Sequence, residues 1–350
     1  MSDASTRSRA DTSACPAFRN AVPVLPQCCA CHPSMQYLVI SNEVRDLPKG
    51  LRKHKFMSIL IADKDFLNSN PGALDTNIET YPDGIVIPVD KPYRWTSADV
   101  IRKIKFTACR HFGKKNLKVG HAGTLDPLAT GILIVCIGKA TKLAETYQRH
   151  DKEYIAGISF GATTPSYDLE KDIDRTYPYG HITEDAVKEA AKTFLGEQEQ
   201  IAPLFSAKSV DGVRAYELAR QIYRKSKNSG EHLDFQADNL LSRQMINISE
   251  IEVLDFSPDG RAKQKMQQSA SEENARNARI NVADNSALHL PYAEIRIACT
   301  KGTYIRAFAR DLGEALNSGA HLSSLRRTKS GSFDIASSLS VEQALSILRS

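Results

Sequence analysis

The segment from Val119 to Gly131, VGHAGTLDPLATG, constrains the fold of this chain more than any other stretch. Its glycines permit positive φ and close backbone approach, and Pro127 fixes φ and removes a backbone donor. The apolar run from Ile132 to Ile137 follows directly and predicts a buried strand. The pattern therefore predicts a rigid loop that presents one carboxylate, Asp126, above a strand. An ordinary turn, in which Asp126 hydrogen-bonds its own backbone, fits the same spacing.

The rest of the chain mixes strand and helix patterns without a regular βαβ repeat. Strands are predicted at 84–89, 132–137, 154–160, 245–256 and 292–299. Helices are predicted after Ser97 and Thr183, which are the expected N-caps, and over the apolar stripe Ile305, Phe308, Ala309, Leu312 and Leu316. This order indicates an α+β protein with a mostly antiparallel sheet.

Two regions differ in composition from the predicted folded part. Residues 1–80 begin with an aperiodic Ser/Ala/Arg-rich stretch and are expected to form a poorly ordered extension. We hypothesise that Met57 is the natural start, and a mature N-terminus well before Met57 in an intact-mass measurement would contradict this. Residues 258–291 are polar and are predicted to form a surface insertion. The main domain is therefore expected to cover residues 81–350.

Charge and cysteine content restrict the class of partner and the compartment. The net charge of +5, from 46 Lys+Arg and 41 Asp+Glu, permits a polyanionic partner without requiring one. Basic residues cluster at 102–105, 114–118, 220–227 and 326–329, which fits a groove that follows phosphates. Cys28, Cys29, Cys31 and His32 lack a second ligand pair at zinc spacing, so no metal site is expected. With no membrane-length apolar run and no secretory signal pattern, we expect a cytoplasmic protein.

The order of residues in the Asp126 loop adds information that spacing alone lacks. The pattern G-H-x-G-T-L-D-P-x-A-x-G-x-L, starting at Gly120, closely resembles the catalytic motif of the TruB family of tRNA pseudouridine synthases. The resemblance runs from about Gly84 to the C-terminus and is interrupted by residues 258–291. It implies a pseudouridine synthase fold, with a mixed, mostly antiparallel sheet in two halves, flanking helices and an active cleft between the halves. Many relatives end in a PUA domain, which is not expected here.

The resemblance also implies three catalytic residues. Asp126 would be the catalytic aspartate, acting as nucleophile or base. Tyr154 would stack on the flipped uracil, although the strand pattern alone favours a core aromatic. Arg306, in the KGTYIR segment that starts at Lys301, would pair with Asp126. Helical spacing alone places Arg306 off the core stripe, as a surface arginine.

Other residues match family segments that bind or support the substrate. His121 would help to hold the RNA loop open, and Lys91 in the DKP segment would support the active loop. Asp168 fits loosely a segment that contacts the RNA loop. Leu325 would lie near the uracil, and both arginines of the Leu325-Arg326-Arg327 segment would be available to the RNA backbone. The set of expected substrate-binding residues is His121, Lys91, Asp168, Leu325, Arg326 and Lys301.

The function implied by the resemblance is isomerisation of uridine to pseudouridine at position 55 in the T-loop of tRNA, after base flipping. The reaction involves no redox change or hydrolysis, so neither cofactor nor metal is expected. We expect tRNA as the partner, no membrane, and a monomer. Two alternatives stay open, namely a guide-RNA-dependent synthase of the dyskerin type and a non-catalytic tRNA-binding folding factor.

Overall fold

The structure is a computed structural model that describes residues 59–203, 209–210, 213–214, 243–260, 280 and 282–349. The proposed start at Met57, the cysteine-rich segment at 28–32 and most of the 258–291 insertion lie outside the described residues. No described helix is both long and apolar enough to cross a bilayer.

Fifteen strands and six α-helices are found in the described part of the chain. The strands are β1 (Leu60–Ile61), β2 (Ile85–Lys91), β3 (Val119–Ala122), β4 (Ala129–Ile137), β5 (Lys152–Phe160), β6 (Ala162–Thr163), β7 (Arg175–Thr176), β8 (Gly196–Ile201), β9 (Ser209–Val210), β10 (Val213–Arg214), β11 (Arg243–Ser257), β12 (Tyr292–Cys299), β13 (Ala320–Ser330), β14 (Phe333–Asp334) and β15 (Leu339–Ser340). The helices are α1 (Lys64–Ser69), α2 (Ser97–His111), α3 (Ala144–Arg149), α4 (Glu184–Lys192), α5 (Ile305–Ala315) and α6 (Val341–Ser346).

One mixed sheet forms the centre of the molecule, as the sequence predicts. Its main path is β1-β2-β4-β13-β5-β12-β11-β8, with β3, β14 and β15 paired at its margins. Every contact along the path is antiparallel except β1–β2 and β4–β13. Apolar side chains that alternate on β5 and β12 bury one face of these strands, which explains why they pair in this register.

The two halves of the sheet meet where β4 pairs with β13. This parallel contact joins only Leu325, Arg326 and Arg327 to residues 129–131. One hydrophobic cluster lies around Val86, Ile134 and Tyr147, and the other lies around Tyr154, Ile295 and Phe308. Because the ladder between the halves is short, the loop before β4 can reach across the junction.

The expectation of a poorly ordered segment up to residue 80 is wrong for residues 59–80. Strand β1 pairs with β2, and Ile59, Leu60 and Ala62 are buried. The backbone amide of Leu74 donates to the carbonyl of Ile347, which ties this segment to the C-terminus of the described chain. Burial of these few apolar residues against β2 supplies the order that composition did not reveal.

The N-cap of α2 is Thr96 rather than Ser97. The Thr96 side chain accepts from the Asp99 amide, and the Asp99 carboxylate accepts from the Thr96 amide, which together make a capping box. The Ser97 side chain therefore does not cap the helix, and it contacts Leu125 instead. The predicted cap Thr183 is confirmed at the start of α4.

The described end of the predicted surface insertion is partly buried. Asn285 is 6% exposed and hydrogen-bonds the ring of His321, and Leu290 is buried as well. Residues 286–289 are nevertheless exposed, and within 282–290 only Asn285 and Leu290 are buried. Cys136 and Cys299 are buried core residues.

Gly131 is required at the junction of the two halves. Its φ is +101°, and a Cβ there would collide with the backbone of Arg327. We expect Gly131→Ala to lower the free energy of unfolding by about 3 kcal/mol or more, because strain and overlap add. The matched control is Gly113→Ala, since Gly113 has φ +62° but open space around it, and about 1 kcal/mol is expected. Equal losses in urea unfolding of both variants would contradict this account.

Candidate active site

The loop that carries Asp126 connects β3 to β4. Ser97, at the start of α2, holds this loop by a reciprocal contact with Leu125. Its Oγ accepts from the Leu125 amide at 2.9 Å and donates to the Leu125 carbonyl at 3.2 Å. The backbone amide of Ala129 donates to the Asp126 carbonyl, which closes the turn. The loop is therefore fixed on both sides of the carboxylate, while the Asp126 side chain keeps 37% of its area exposed.

Arg306 lies in the first turn of α5 and binds Asp126 through two nitrogens. Nε donates to Oδ2 at 2.9 Å, and Nη2 donates to Oδ1 at 3.3 Å. The expectation of a surface arginine from helical spacing is wrong, because Arg306 is 5% exposed. The first turn of α5 faces the junction of the sheet halves rather than solvent, so a position off the core stripe is still covered. The ion pair implied by the resemblance is present.

A second carboxylate, Asp168, lies on the other side of Arg306. Its Oδ2 is 3.8 Å from Nε of Arg306, and its Oδ1 accepts from the Ser166 hydroxyl and the Glu170 amide. Burial raises the pKa of Asp168, and the charge of Arg306 offsets part of that rise. Asp168 is 6% exposed. It is thus placed to hold Arg306, and its expected contact with the RNA loop stays a prediction.

Arg306 is therefore held between two acids and a backbone carbonyl. Nη1 donates to the Ser166 carbonyl at 3.1 Å. Burial lowers the pKa of Arg306, but Asp126 and Asp168 together raise it above its usual value. The guanidinium stays charged and fixes the orientation of the Asp126 carboxylate.

A small cavity opens beside these charges. Its volume is about 20 Å³, and its lining combines the three charged residues with apolar and small side chains. The lining residues are Asp126, Leu128, Ala129, Asp168, Leu169, Arg306, Leu322, Ser323, Ser324 and Leu325. This volume holds roughly one water, not a nucleobase. Leu325 lies at the pocket, and its expected position near the uracil stays a prediction.

Tyr154 lies on β5 next to the pocket and is 8% exposed. It belongs to the same apolar cluster as Leu125 and Ala129, which flank Asp126 in the loop. Burial raises the pKa of its hydroxyl, and the charge of Arg327 offsets part of the rise. The tyrosine is therefore both a core residue and a neighbour of the Asp126 loop.

Lys91, at the end of β2, is fully buried beneath the loop. Its Nζ donates to the carbonyls of Pro92, Trp95 and Pro127 at 3.0, 2.6 and 3.3 Å. Burial lowers the pKa of Lys91 to about 7, although the nearby Asp126 charge opposes the shift. The contact with Pro127, the residue after Asp126, gives Lys91 the loop-supporting position that the resemblance implied.

The three remaining residues expected to bind substrate do not line the pocket. His121 is half-buried on β3, and burial followed by the charge of Arg327 lowers the pKa of its ring. Lys301 is exposed in the turn before α5. Arg326 is half-exposed, and its Nη2 donates to Asp90 at 2.8 Å. These three remain candidates for contact with RNA.

Arg327 does not fit the expectation that both arginines of its segment face the RNA backbone. It is 2% exposed, and its Nε donates to the Ile132 carbonyl at 2.8 Å. Consecutive residues of a strand point to opposite faces, so only one of Arg326 and Arg327 can reach solvent. That alternation was readable from the sequence. The loop contact of Ser97 and the role of Ser166 beside Asp168 had no such signal, because both depend on long-range packing.

Known proteins of similar sequence show the family to which this chain belongs. Family models match residues 110–270, as the N-terminal domain of TruB family pseudouridylate synthases, and residues 306–349, as the C-terminal domain of tRNA pseudouridylate synthase B. A protein named tRNA pseudouridine synthase B from Phocaeicola vulgatus is 48% identical over 262 residues, which cover 75% of this chain and 92% of the relative. The chain belongs to the TruB family.

Other TruB relatives are similar over the same part of the chain. The tRNA pseudouridine synthase B of Bacteroides thetaiotaomicron is 48% identical over 248 residues, covering 71% of this chain and 86% of the relative. That of Deinococcus radiodurans is 36% identical over 257 residues, covering 73% and 77%. The TruB match therefore includes most of each relative.

Solved structures are less similar to this chain in sequence than these relatives are. An H/ACA RNP bound to a substrate RNA containing 2′-deoxyuridine gives a TM-score of 0.43 at 24% identity, covering 74% of this chain and 51% of that chain. A Cbf5-Nop10-Gar1 complex gives 0.44 at 27% identity, covering 73% and 52%. The chain spans about half the length of the chains it matches in these structures.

Proposed function

We propose that this protein converts uridine 55 in the T-loop of tRNA to pseudouridine, without guide RNA. The observation that carries the proposal is the Asp126 carboxylate, half-exposed at a pocket and held by the buried Arg306. The family and the name of its relatives, tRNA pseudouridine synthase B, support the reaction and the RNA class. We further propose that the protein acts as a monomer in the cytoplasm.

The reaction breaks the N1–C1′ bond, turns the uracil and joins C5 to C1′, while a proton leaves C5 and N1 gains one. Asp126 supplies the carboxylate that the reaction needs, as nucleophile or base. Arg306 orients this carboxylate and keeps it paired with a buried cation. Tyr154 provides an aromatic face for the base and a hydroxyl for proton transfer. Asp168 acts through Arg306 as a positioning residue.

Substrate entry requires the pocket to open. A cavity of about 20 Å³ does not admit uracil, so the base must displace lining side chains such as Leu128 and Leu325. Extruding the nucleotide from its stack costs a few kcal/mol, which contacts in the pocket and on the RNA backbone must offset. The apolar side chains that line the pocket suit the faces of the uracil ring, and the charged side chains suit the ribose.

A basic groove near β3 supports RNA binding. It has a volume of about 440 Å³ and is lined by Lys105, Lys115 and Lys118 together with Gly120 and Thr141. Lys103 and Lys114, which lie nearby in sequence, are paired with Glu342 and Glu79. Within the described residues, the three groove lysines form no such ion pair. Cationic side chains without acid partners suit a phosphate backbone. Gly120, which lines the groove, directly precedes His121 in the sequence.

Neutralising the groove lysines tests this contact. We expect Lys105→Gln/Lys115→Gln/Lys118→Gln to weaken tRNA binding and to reduce the steepness of log K against log salt by about 0.7 to 0.9 for each phosphate that is no longer neutralised. The rate at saturating tRNA should stay near that of the wild type. Lys103→Gln/Lys114→Gln is the matched control and should leave the salt slope unchanged. A salt slope for the triple variant equal to that of the wild type contradicts the proposed phosphate binding.

The choice of position is tested with tRNA transcripts. Uridine 55 is replaced by cytidine in one transcript, and pseudouridine is mapped in both after incubation with the purified protein. We expect product at position 55 of the unaltered transcript and none elsewhere in either. Product at another uridine would contradict the proposed position. A guide-dependent enzyme would give no product from protein and transcript alone.

A further inference from the structure

Helix α5, which carries Arg306, begins without a capping hydrogen bond from its own N-cap side chain. The N-cap residue is Tyr304. The third helical position, where a glutamate or glutamine would bond the N-cap amide in a capping box, is Ala307. Helices α2 and α6, by contrast, each begin with a complete capping box. The backbone groups at the start of α5 therefore depend on partners from other elements.

Gln200, near the end of β8, bonds both backbone groups of this N-cap residue. Its Oε1 accepts from the Tyr304 amide at 2.8 Å, and its Nε2 donates to the Tyr304 carbonyl at 3.2 Å. The same carbonyl accepts from the Phe308 amide in the first turn of the helix. Gln200 is 4% exposed, so water competes little for these bonds. The side chain therefore does from a strand what the third residue of a capping box does from within a helix.

A second glutamine holds the turn that precedes α5. Gln244 on β11 lies directly opposite Gln200 in the antiparallel β8–β11 pair, and directly opposed side chains share one face of a sheet. The Nε2 of Gln244 donates to the carbonyl of Gly302, two residues before Tyr304. The start of α5 is therefore tied to two neighbouring strands through side-chain amides.

The position of the Tyr304 backbone matters because Arg306 follows it by only two residues. Nε and Nη2 of Arg306 donate to the two oxygens of the Asp126 carboxylate at 2.9 and 3.3 Å. Such a two-point contact requires both distances and both angles to be kept, so a shift or rotation of the first turn of α5 would break it. The hold of Gln200 on Tyr304 therefore sets the direction in which Arg306 points.

We propose that Gln200 is a positioning residue of the reaction, which holds the first turn of α5 so that Arg306 meets the Asp126 carboxylate in the orientation that the chemistry requires. This inference rests on the proposed function. Gln200 is not among the residues that line the pocket. Its role is exerted through the Tyr304 backbone and Arg306, rather than by contact with RNA.

The first test is the rate of the chemical step under single-turnover conditions with unmodified tRNA. Gln200→Met keeps the size of the side chain and removes both hydrogen bonds. We expect it to lower this rate by about 10- to 100-fold, because a displacement of about 1 Å in a reacting site can cost about 100-fold. The affinity for tRNA should change by less than about threefold, because phosphate contacts supply most of it. An unchanged rate in Gln200→Met would overturn the inference.

The matched control for this test is Gln198→Met. Gln198 lies two residues earlier on β8, and its side-chain amide donates to the carbonyl of Phe194 rather than to α5. The same substitution on the same strand therefore removes a hydrogen bond that does not hold the Arg306 turn. The rate of Gln198→Met should match that of the wild type.

The second test separates an effect through Arg306 from a general effect on the fold. Gln200→Met is added to Arg306→Met/Asp168→Asn, a background that lacks the guanidinium and leaves no buried carboxylate of Asp168 without its partner. There we expect Gln200→Met to lower the rate by less than about threefold, because no guanidinium is left to be positioned. A loss as large as in the wild-type background would show that Gln200 acts independently of Arg306, and it would overturn the inference.

The two tests also distinguish the possible failures. If Gln200→Met loses its cooperative thermal unfolding transition, Gln200→Glu replaces it in both tests, because the carboxyl group still accepts from the Tyr304 amide. A loss of about tenfold is then expected in the wild-type background. Absence of product with the wild-type protein is a failure of the proposed function. Product with the wild type, combined with equal losses in the two backgrounds, is a failure of the Gln200 inference alone.

Discussion

Replacing Asp126 by asparagine is expected to lower the rate of pseudouridine formation by at least about 10⁴-fold, as removal of a catalytic nucleophile or base does elsewhere. Asparagine has nearly the same shape but is neither a nucleophile nor a base at neutral pH. Its carbonyl can still accept a hydrogen bond from Arg306, so the loop should keep its position. The measurement is single-turnover product formation with unmodified tRNA.

Binding and a matched variant provide the controls for this prediction. The affinity for tRNA should stay within about tenfold of the wild type, because contacts to the phosphate backbone supply most of the binding energy. Asp311→Asn removes another aspartate that is paired with an arginine, in this case Arg310 on the same helix as Arg306. Asp311 is not among the pocket-lining residues, so its variant should retain activity. Substantial turnover by Asp126→Asn would remove Asp126 from its proposed role.

The second large effect is expected from Arg306→Met. Removing one partner of a buried ion pair costs about 3 to 5 kcal/mol, because the remaining charge stays buried. Here the remaining charge is chiefly that of Asp168, whose side chain is 9% exposed against 37% for Asp126. The rate should also fall by about 10³-fold, since the carboxylate of Asp126 loses its orientation. Urea unfolding and single-turnover kinetics measure the two effects separately.

A double variant distinguishes stability from catalysis at this site. In Arg306→Met/Asp168→Asn, the buried carboxylate is replaced by a neutral amide that can still accept from Ser166 and Glu170. We expect most of the lost free energy of unfolding to return, while the rate stays low. If activity returns together with stability, Arg306 contributes only to the fold and its proposed role is wrong.

Much of the fold could be predicted from the sequence, because the patterns that indicate it are local. The glycines and proline around Asp126, the apolar run of β4 and the alternation on β12 each specify a loop or strand within a few residues. The mixed sheet and the Thr183 cap follow from patterns of this kind. The resemblance carried by the Asp126 loop supplied the site, since spacing alone left an ordinary turn as the simpler interpretation.

The wrong sequence predictions share one physical cause. The periodicity of apolar residues shows which face of a helix or strand is apolar, but not which other elements cover its remaining faces. Arg306 lies off the apolar stripe of α5, yet the first turn of that helix is covered by the Asp126 loop and Asp168. Arg327 is buried where it donates to the carbonyls of Ile132 and Gly123, which lie far from it in the sequence. The order at residues 59–62 depends on β1 pairing with a strand more than twenty residues later. None of these contacts is visible within one window of sequence.

The central claim is tested most directly by mapping pseudouridine in an unmodified tRNA transcript after incubation with the purified wild-type protein, without guide RNA. The account predicts pseudouridine at position 55 with the wild type, and none with Asp126→Asn. Wild-type protein that binds the transcript but leaves uridine 55 unchanged would contradict it.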